Sequence, residues 1–131
     1  MFVDASALVS VLAAEIDGAD LSDRIEAAAP QCRNSPLAVF ETAVAMARIR
    51  EVRPGYAVEV ISEYLERARI DVVPIEPIDA ISAIQAFETY GKGAGHPARL
   101  NMGDCFSYAM AKRLGAPLLY KGEDFIHTDL A

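Results

Sequence analysis

Cysteine is nearly absent from this chain: Cys32 and Cys105 are the only two, and they form neither a CxxC pair nor a dense disulfide framework. A fold stapled by disulfides is therefore excluded, and a reducing cytoplasm fits best. Basic residues are also scarce. Twelve Lys and Arg stand against 19 Asp and Glu, a formal charge of -7, which argues against a general electrostatic grip on nucleic acid. No long hydrophobic run occurs. The apolar stretch Ala7 to Ala14 is too short to span a bilayer, Asp4 precedes it, and no basic region does. Repeats, low-complexity segments and long charge runs are missing too, which excludes a solenoid and a disordered tail. The two histidines, His96 and His127, are too isolated to make a zinc site.

What remains is a compact apolar framework. A chain of 131 residues with 53% hydrophobic residues suits one domain over residues 1–131 with a continuous core. Met1 to Asp4 reads as a buried strand running directly into a helix from Ala5 to Ala14. Leu21 to Ala29 reads as a second helix limited by Pro30, and Gln31 to Ser35 as a short strand. A helix begins near Pro36, with Leu37, Phe40, Val44 and Ala47 at helical spacing. Arg48, Arg50 and Arg53 close it before Pro54-Gly55, where basic groups suit the negative end of the dipole.

Tyr56 to Ala68 follows as an amphipathic helix and Ile70 to Ile75 as a strand. Pro77 to Tyr90 is expected to be helical, with Ile78, Ile81, Ile84 and Phe87 as its inner stripe. GKGAGHPARLN breaks regular structure. It lacks the spacing and the final Lys-Ser/Thr of a phosphate-binding loop. Asp104 to Leu114 then forms a helix, Pro117 to Tyr120 a strand, and Gly122 to Asp129 a turn. Strands alternating with helices predict parallel βαβ units, hence an α/β fold: a three-layer α/β/α sandwich with a central parallel sheet.

Against this framework four acids stand where apolar segments begin or end: Asp4, Glu41, Asp104 and Asp124. Ligand-binding groups in such a sheet lie outside the carboxyl ends of the strands, so side chains far apart in sequence can meet there. Each has a plain alternative. Asp4 and Asp104 can cap the helices that follow them, and Asp124 can stabilise the Gly122 turn. Glu41 differs, because an acid beside Phe40 in an apolar helix is costly if buried alone. Two carboxylates about 4 Å apart repel by roughly 4 kcal/mol at an effective dielectric near 20. A hard divalent cation with oxygen ligands relieves that repulsion at neutral pH. An acid cluster without basic neighbours therefore predicts Mg²⁺ or Mn²⁺.

The opening MFVDASALVSVL, the helical acid Glu41, the closing LNMGDCFSYAMAKRLGAPLLYKGEDFIHTDL and the order of elements together resemble the PIN-domain ribonucleases, and especially the VapC toxins of bacterial toxin-antitoxin pairs. The likeness spans essentially the whole chain. It implies a PIN-like domain with an acidic cluster at Asp4, Glu41, Asp104 and Asp124 that binds Mg²⁺ or Mn²⁺ and hydrolyses RNA to 5′-phosphate and 3′-hydroxyl ends. Asp4 and Asp104 would ligate the ion directly. Glu41 would act through water, and Asp124 would complete the pocket or hold a second ion, with Glu123 and Asp129 as neighbouring acids. The resemblance also implies homodimerisation and a VapB-like antitoxin whose Arg competes with metal for the carboxylates, and the short apolar stretch predicts no membrane partner.

Ser6 and Asn101 neighbour these acids, where they would orient ligands or water, although Ser6 is equally a candidate helix cap. Lys92, His96, Arg99 and Lys121 flank Asp104 and Asp124 and are candidate phosphate contacts. Lys112 and Arg113 suit the last turn of a helix for dipole and solubility reasons. Cys105 has no nearby base and reads as core. Two rival functions carry different signatures. A haloacid-dehalogenase-like phosphatase needs a second acid two residues after its nucleophilic Asp, where this chain has Ser6. A non-catalytic interaction domain would use the acids only as caps.

Overall fold

A computed structural model describes residues 1–131. Four short strands, β1 (Phe2–Val3), β2 (Cys32–Asn34), β3 (Ile70–Val72) and β4 (Leu118–Leu119), alternate with α1 (Ala5–Leu12), α2 (Gly18–Ala28), α3 (Pro36–Arg50), α4 (Pro54–Arg67), α5 (Pro77–Tyr90) and α6 (Met102–Arg113). The sheet order is β3-β2-β1-β4, and every pairing is parallel, with Phe2 opposite Arg33 and Leu118, and Cys32 opposite Ile70.

Successive residues of a strand face opposite sides of a sheet, and β1 applies that rule directly. Val3 joins a core built with Leu8, Ile25, Ile61 and Leu65 on the side of α1 to α4. Phe2 joins a second core with Ala86, Leu100, Ala109 and Met110 on the side of α5 and α6. The result is the expected α/β/α sandwich. Its strand order reverses direction between β1 and β4, and that switch point opens a crevice beyond their carboxyl ends.

Local chemistry sets the helix starts. Ser35 caps α3 by accepting a hydrogen bond from Ala38 N at 3.1 Å, with Pro36 at the first helical position. Asn101 and Asp104 form a capping box at the start of α6, each side chain accepting from the other's backbone N–H at 2.9 Å. Several elements depart by a few residues from the expected bounds, as when α6 starts at Met102 rather than Asp104.

Two corrections concern packing. The stripe of Ile78, Ile81, Ile84 and Phe87 does not face inward; those side chains are between 43% and 61% exposed. The buried side of α5 carries Asp79, Ala83 and Ala86 instead. Small side chains let α5 lie close to α6, and Asp79 is buried at no uncompensated penalty because Arg113 grips it, Nε to Oδ1 at 2.7 Å and Nη2 to Oδ2 at 2.9 Å. Arg113 is thus a structural ion-pair partner rather than a solubility residue. Likewise on α3, Phe40 and Val44 are exposed, and the inner face is Ala38, Thr42, Ala43, Met46 and Ala47.

Candidate active site

Asp4 follows β1 and caps α1, and its backbone is tied to β4, Asp4 N donating to Leu119 O at 2.9 Å. Its side chain is equally constrained. Oδ2 accepts from Ser6 N at 2.9 Å and from Ser6 Oγ at 2.6 Å, and Oδ1 accepts from Ser107 Oγ at 2.6 Å. Ser6 Oγ in turn accepts from Lys121 N at 3.0 Å, tying the end of β1 to the segment after β4. The two expected roles therefore coexist: Asp4 caps its helix and points a fixed carboxylate into the crevice, while Ser6 orients it.

The crevice is a cleft of about 490 Å³ lined by Asp4, Glu41, Asp104 and Asp124, together with Ser6, Asn101, Glu15 and Lys121. All four predicted acids thus meet, carried there by β1, α3, α6 and the turn after β4. Two of the four, Glu41 and Asp104, are held above the usual carboxylate range. Burial first, and then the charges of Asp4 and Asp104, push Glu41 up to about 7. Burial is again the main cause at Asp104, which is pushed up to about 6 by it and by the charges of Asp4 and Asp124, against the opposing Asn101 N–H and Lys92.

Of the flanking cations, only Lys121 lines the cleft, and it is already paired: its ammonium contacts Glu15, with Asp17 at 3.6 Å. Lys92 and Arg99 are exposed outside the lining, and His96 packs edge-on to Tyr90 with its Nδ1 accepting from Ala98 N at 3.1 Å. Asp129 is turned away from the site, bound by Tyr108 Oη and Lys112 Nζ, both at 2.7 Å. Glu123 does not line the cleft either, so Asp124 is the fourth acid. Cys105 is buried, and burial followed by the Asp104 charge pushes its thiol up to about 11, far from a nucleophilic thiolate at neutral pH.

The acidic donor set fits a hard cation. Four carboxylates supply only oxygen ligands, and the one cation on the lining is engaged by other acids, so negative charge in the cleft is left uncompensated. No three His, Cys, Asp or Glu side chains are gathered tightly enough to hold an ion by themselves. Mg²⁺ is commonly held by one or two carboxylates with waters completing its octahedron, which suits a direct pair, Asp4 and Asp104, with Glu41 and Asp124 behind water.

Two participants escaped the sequence reading, Ser107 and Glu15. Ser107 had a signal: it lies three residues after Asp104, on the same helical face. The Glu15 contact had none, since Lys121 lies 106 positions away.

Comparison with known proteins agrees with this geometry. A family model described as PIN domain matches residues 1–130. Ribonuclease VapC30 of Mycobacterium tuberculosis is 43% identical over 133 residues, spanning 100% of this chain and 96% of its own. A VapC ribonuclease of Rhizobium meliloti is 38% identical over 139 residues, spanning 98% of both. Among solved structures, M. tuberculosis VapC20, a sarcin-ricin loop cleaving toxin, shares the fold with a TM-score of 0.70 at 19% identity, over 95% of this chain and 92% of that one.

Proposed function

This chain belongs to the PIN-domain family, and on that premise we propose that it is a metal-dependent endoribonuclease, the toxin of a toxin-antitoxin pair. VapC ribonuclease relatives aligned along its whole length support the activity. The observation that carries the chemistry is the meeting of Asp4, Glu41, Asp104 and Asp124 around one cleft at the switch point of the sheet.

Mg²⁺ or Mn²⁺ held by Asp4 and Asp104 would neutralise charge on the scissile phosphate and leaving oxygen and make water a stronger nucleophile. The chain's own groups do the rest. Ser6 and Ser107 fix both oxygens of Asp4, so its lone pairs are aimed before substrate arrives. Glu41, with a carboxyl that titrates near neutrality, orients the attacking water and takes its proton on a carboxylate oxygen. Water attacks phosphorus in line, the P–O3′ bond breaks, the departing O3′ takes a proton from solvent, and the products carry a 5′-phosphate and a 3′-hydroxyl. Asp124 completes the pocket, and Lys121 can exchange Glu15 for a substrate phosphate. A phosphatase mechanism with Asp4 as nucleophile is disfavoured, because the place of the acid it needs two residues on holds Ser6, which is spent on orienting Asp4.

The proposed partners are RNA, a VapB-like antitoxin and a second copy of the chain. The unpartnered stripe of Ile78, Ile81, Ile84 and Phe87 on α5, continuous with exposed Met102, supports α5 as a protein contact, and exposed Phe40, Val44 and Ile49 on α3 with Tyr56, Val58 and Val60 on α4 offer a second apolar face. Two free, buried thiols support a reducing cytoplasm, and no helix is long and apolar enough to cross a membrane.

The test is incubation of purified protein with structured and unstructured RNAs in Mg²⁺, Mn²⁺ or EDTA, beside Asp4→Asn and Asp104→Asn. Cleavage confined to the metal-containing wild-type reactions is expected. Cleavage that survives EDTA and both substitutions rules the chemistry out.

A further inference from the structure

Gly103 occupies the second position of α6, buried, immediately before Asp104. Its neighbours in sequence are helical and its φ is not in the left-handed region, unlike Gly93, Gly95, Gly115 and Gly122. Alanine is the more favourable residue in ordinary helix, so backbone conformation gives no reason for glycine here. Space does. A Cβ built on Gly103 would fall onto the Cδ and both carboxylate oxygens of Glu41, its three nearest atoms. Gly55, also helical, has nothing near its missing Cβ.

We propose that Gly103 is a positioning residue for the ribonuclease site: its vacant Cβ position lets the Glu41 carboxylate lie against the first turn of α6, beside Asp104. The two helices meet there, and the choice of side chain on α6 determines where an acid of α3 can stand. Any larger residue at this place forces the Glu41 carboxylate off the first turn of α6 while leaving the capping box of Asn101 and Asp104 in place. The consequence for catalysis rests on the nuclease reading; the steric relation does not.

The decisive experiment is a mutant cycle of Gly103→Ala and Glu41→Asp, read by crystal structure, thermal melting, Mn²⁺ binding by paramagnetic resonance, and RNA cleavage. Gly103→Ala is expected to melt no lower than wild type, to show Glu41 displaced from α6, and to bind Mn²⁺ about tenfold or more weaker, the size of effect seen when a supporting group around a metal ligand is lost. Glu41→Asp withdraws the carboxylate by one methylene. It should weaken Mn²⁺ binding in the glycine background and recover part of the loss in the alanine background. Should Gly103→Ala fail to fold, adding Glu41→Ala removes the overlapping group and is expected to restore folding; no restoration overturns the inference. Unchanged Glu41 placement with wild-type Mn²⁺ affinity also overturns it, as does an effect of Glu41→Asp that is the same in both backgrounds. If wild type neither takes up Mn²⁺ nor cleaves RNA while Gly103→Ala still displaces Glu41, the nuclease reading fails and the positioning role stands.

Discussion

Glu41→Gln should make the metal-free protein more stable at pH 8. The reason lies in the sign of its titration. Glu41 is pushed up from 4.5 to about 7 by burial and by Asp4 and Asp104, so the folded state disfavours its charge. Between those two values the unfolded chain has released the proton while the folded chain still holds it. Stability therefore falls as pH rises through that window and levels off above about 7. A displacement from 4.5 to about 7 corresponds to about 3 kcal/mol on the ionised form. Water entering the open cleft reduces this, so about 1–3 kcal/mol is expected, or roughly 3–10 °C in melting temperature for a chain of this size. Glutamine keeps the shape and removes the charge.

The assay is thermal melting of wild type and Glu41→Gln in EDTA, from pH 4 to pH 8. The two proteins should converge near pH 4 and separate as pH rises. Saturating Mg²⁺ should then narrow the gap, because a ligand present at a hundredfold its dissociation constant stabilises the folded protein by about 2.7 kcal/mol. A Glu41→Gln variant no more stable than wild type at pH 8, or one whose advantage is the same at every pH, would refute the claim that crowded negative charge is stored at this carboxylate.

Other consequences follow from single contacts. Arg113→Met strands Asp79, which is 1% exposed, and urea titration should show a loss of about 3–5 kcal/mol, with Asp79→Asn in the same chain recovering part of it. Burial acts to raise Asp79, but the Arg113 fork outweighs it and holds the carboxyl below its usual 3.8; that contribution is therefore complete above 3.8 and should disappear as acid drives pH through the lowered folded value. Ser107→Ala removes the 2.6 Å hydrogen bond to Asp4 Oδ1; Mn²⁺ affinity should drop about tenfold while circular dichroism stays unchanged, and equal affinity would remove Ser107 from the site. Lys121→Ala deletes the one cation on the cleft lining, so KM for RNA should rise and the slope of log affinity against log salt should shrink by about one phosphate contact; an unchanged slope would show that Lys121 never leaves Glu15 for substrate.

Much of the architecture could be read along the chain because its signals are local. The buried strand at Met1 to Asp4 running into a helix, Pro36 at the start of α3, and Pro30 past the end of α2 all depend on residues a few positions apart, whereas the cap of α6 proved to be Asn101 and not Asp104. The four acids were legible for a related reason: the crevice of a parallel sheet collects strand ends, and Asp4 and Asp124 each lie just past one. Periodicity, however, identifies residues that share a helical face without revealing what covers it. On α5 that face proved to be the outer one, because the inner contact is made by Ala83 and Ala86 and by Asp79, whose partner Arg113 lies 34 positions away. Lys121 looked free for the same reason, since Glu15 is brought to it only by the folded chain. Ser107 and Gly103 contribute a hydroxyl and an absent side chain, neither of which announces itself without the neighbours it touches.

The most direct test of the acidic cluster is a Mn²⁺ titration of the purified protein followed by paramagnetic resonance, with Mg²⁺ as competitor. Saturable uptake by wild type, displaced by Mg²⁺ and lost in both Asp4→Asn and Asp104→Asn while the fold persists, is the predicted result. Uptake of the same strength in wild type and both variants would contradict it.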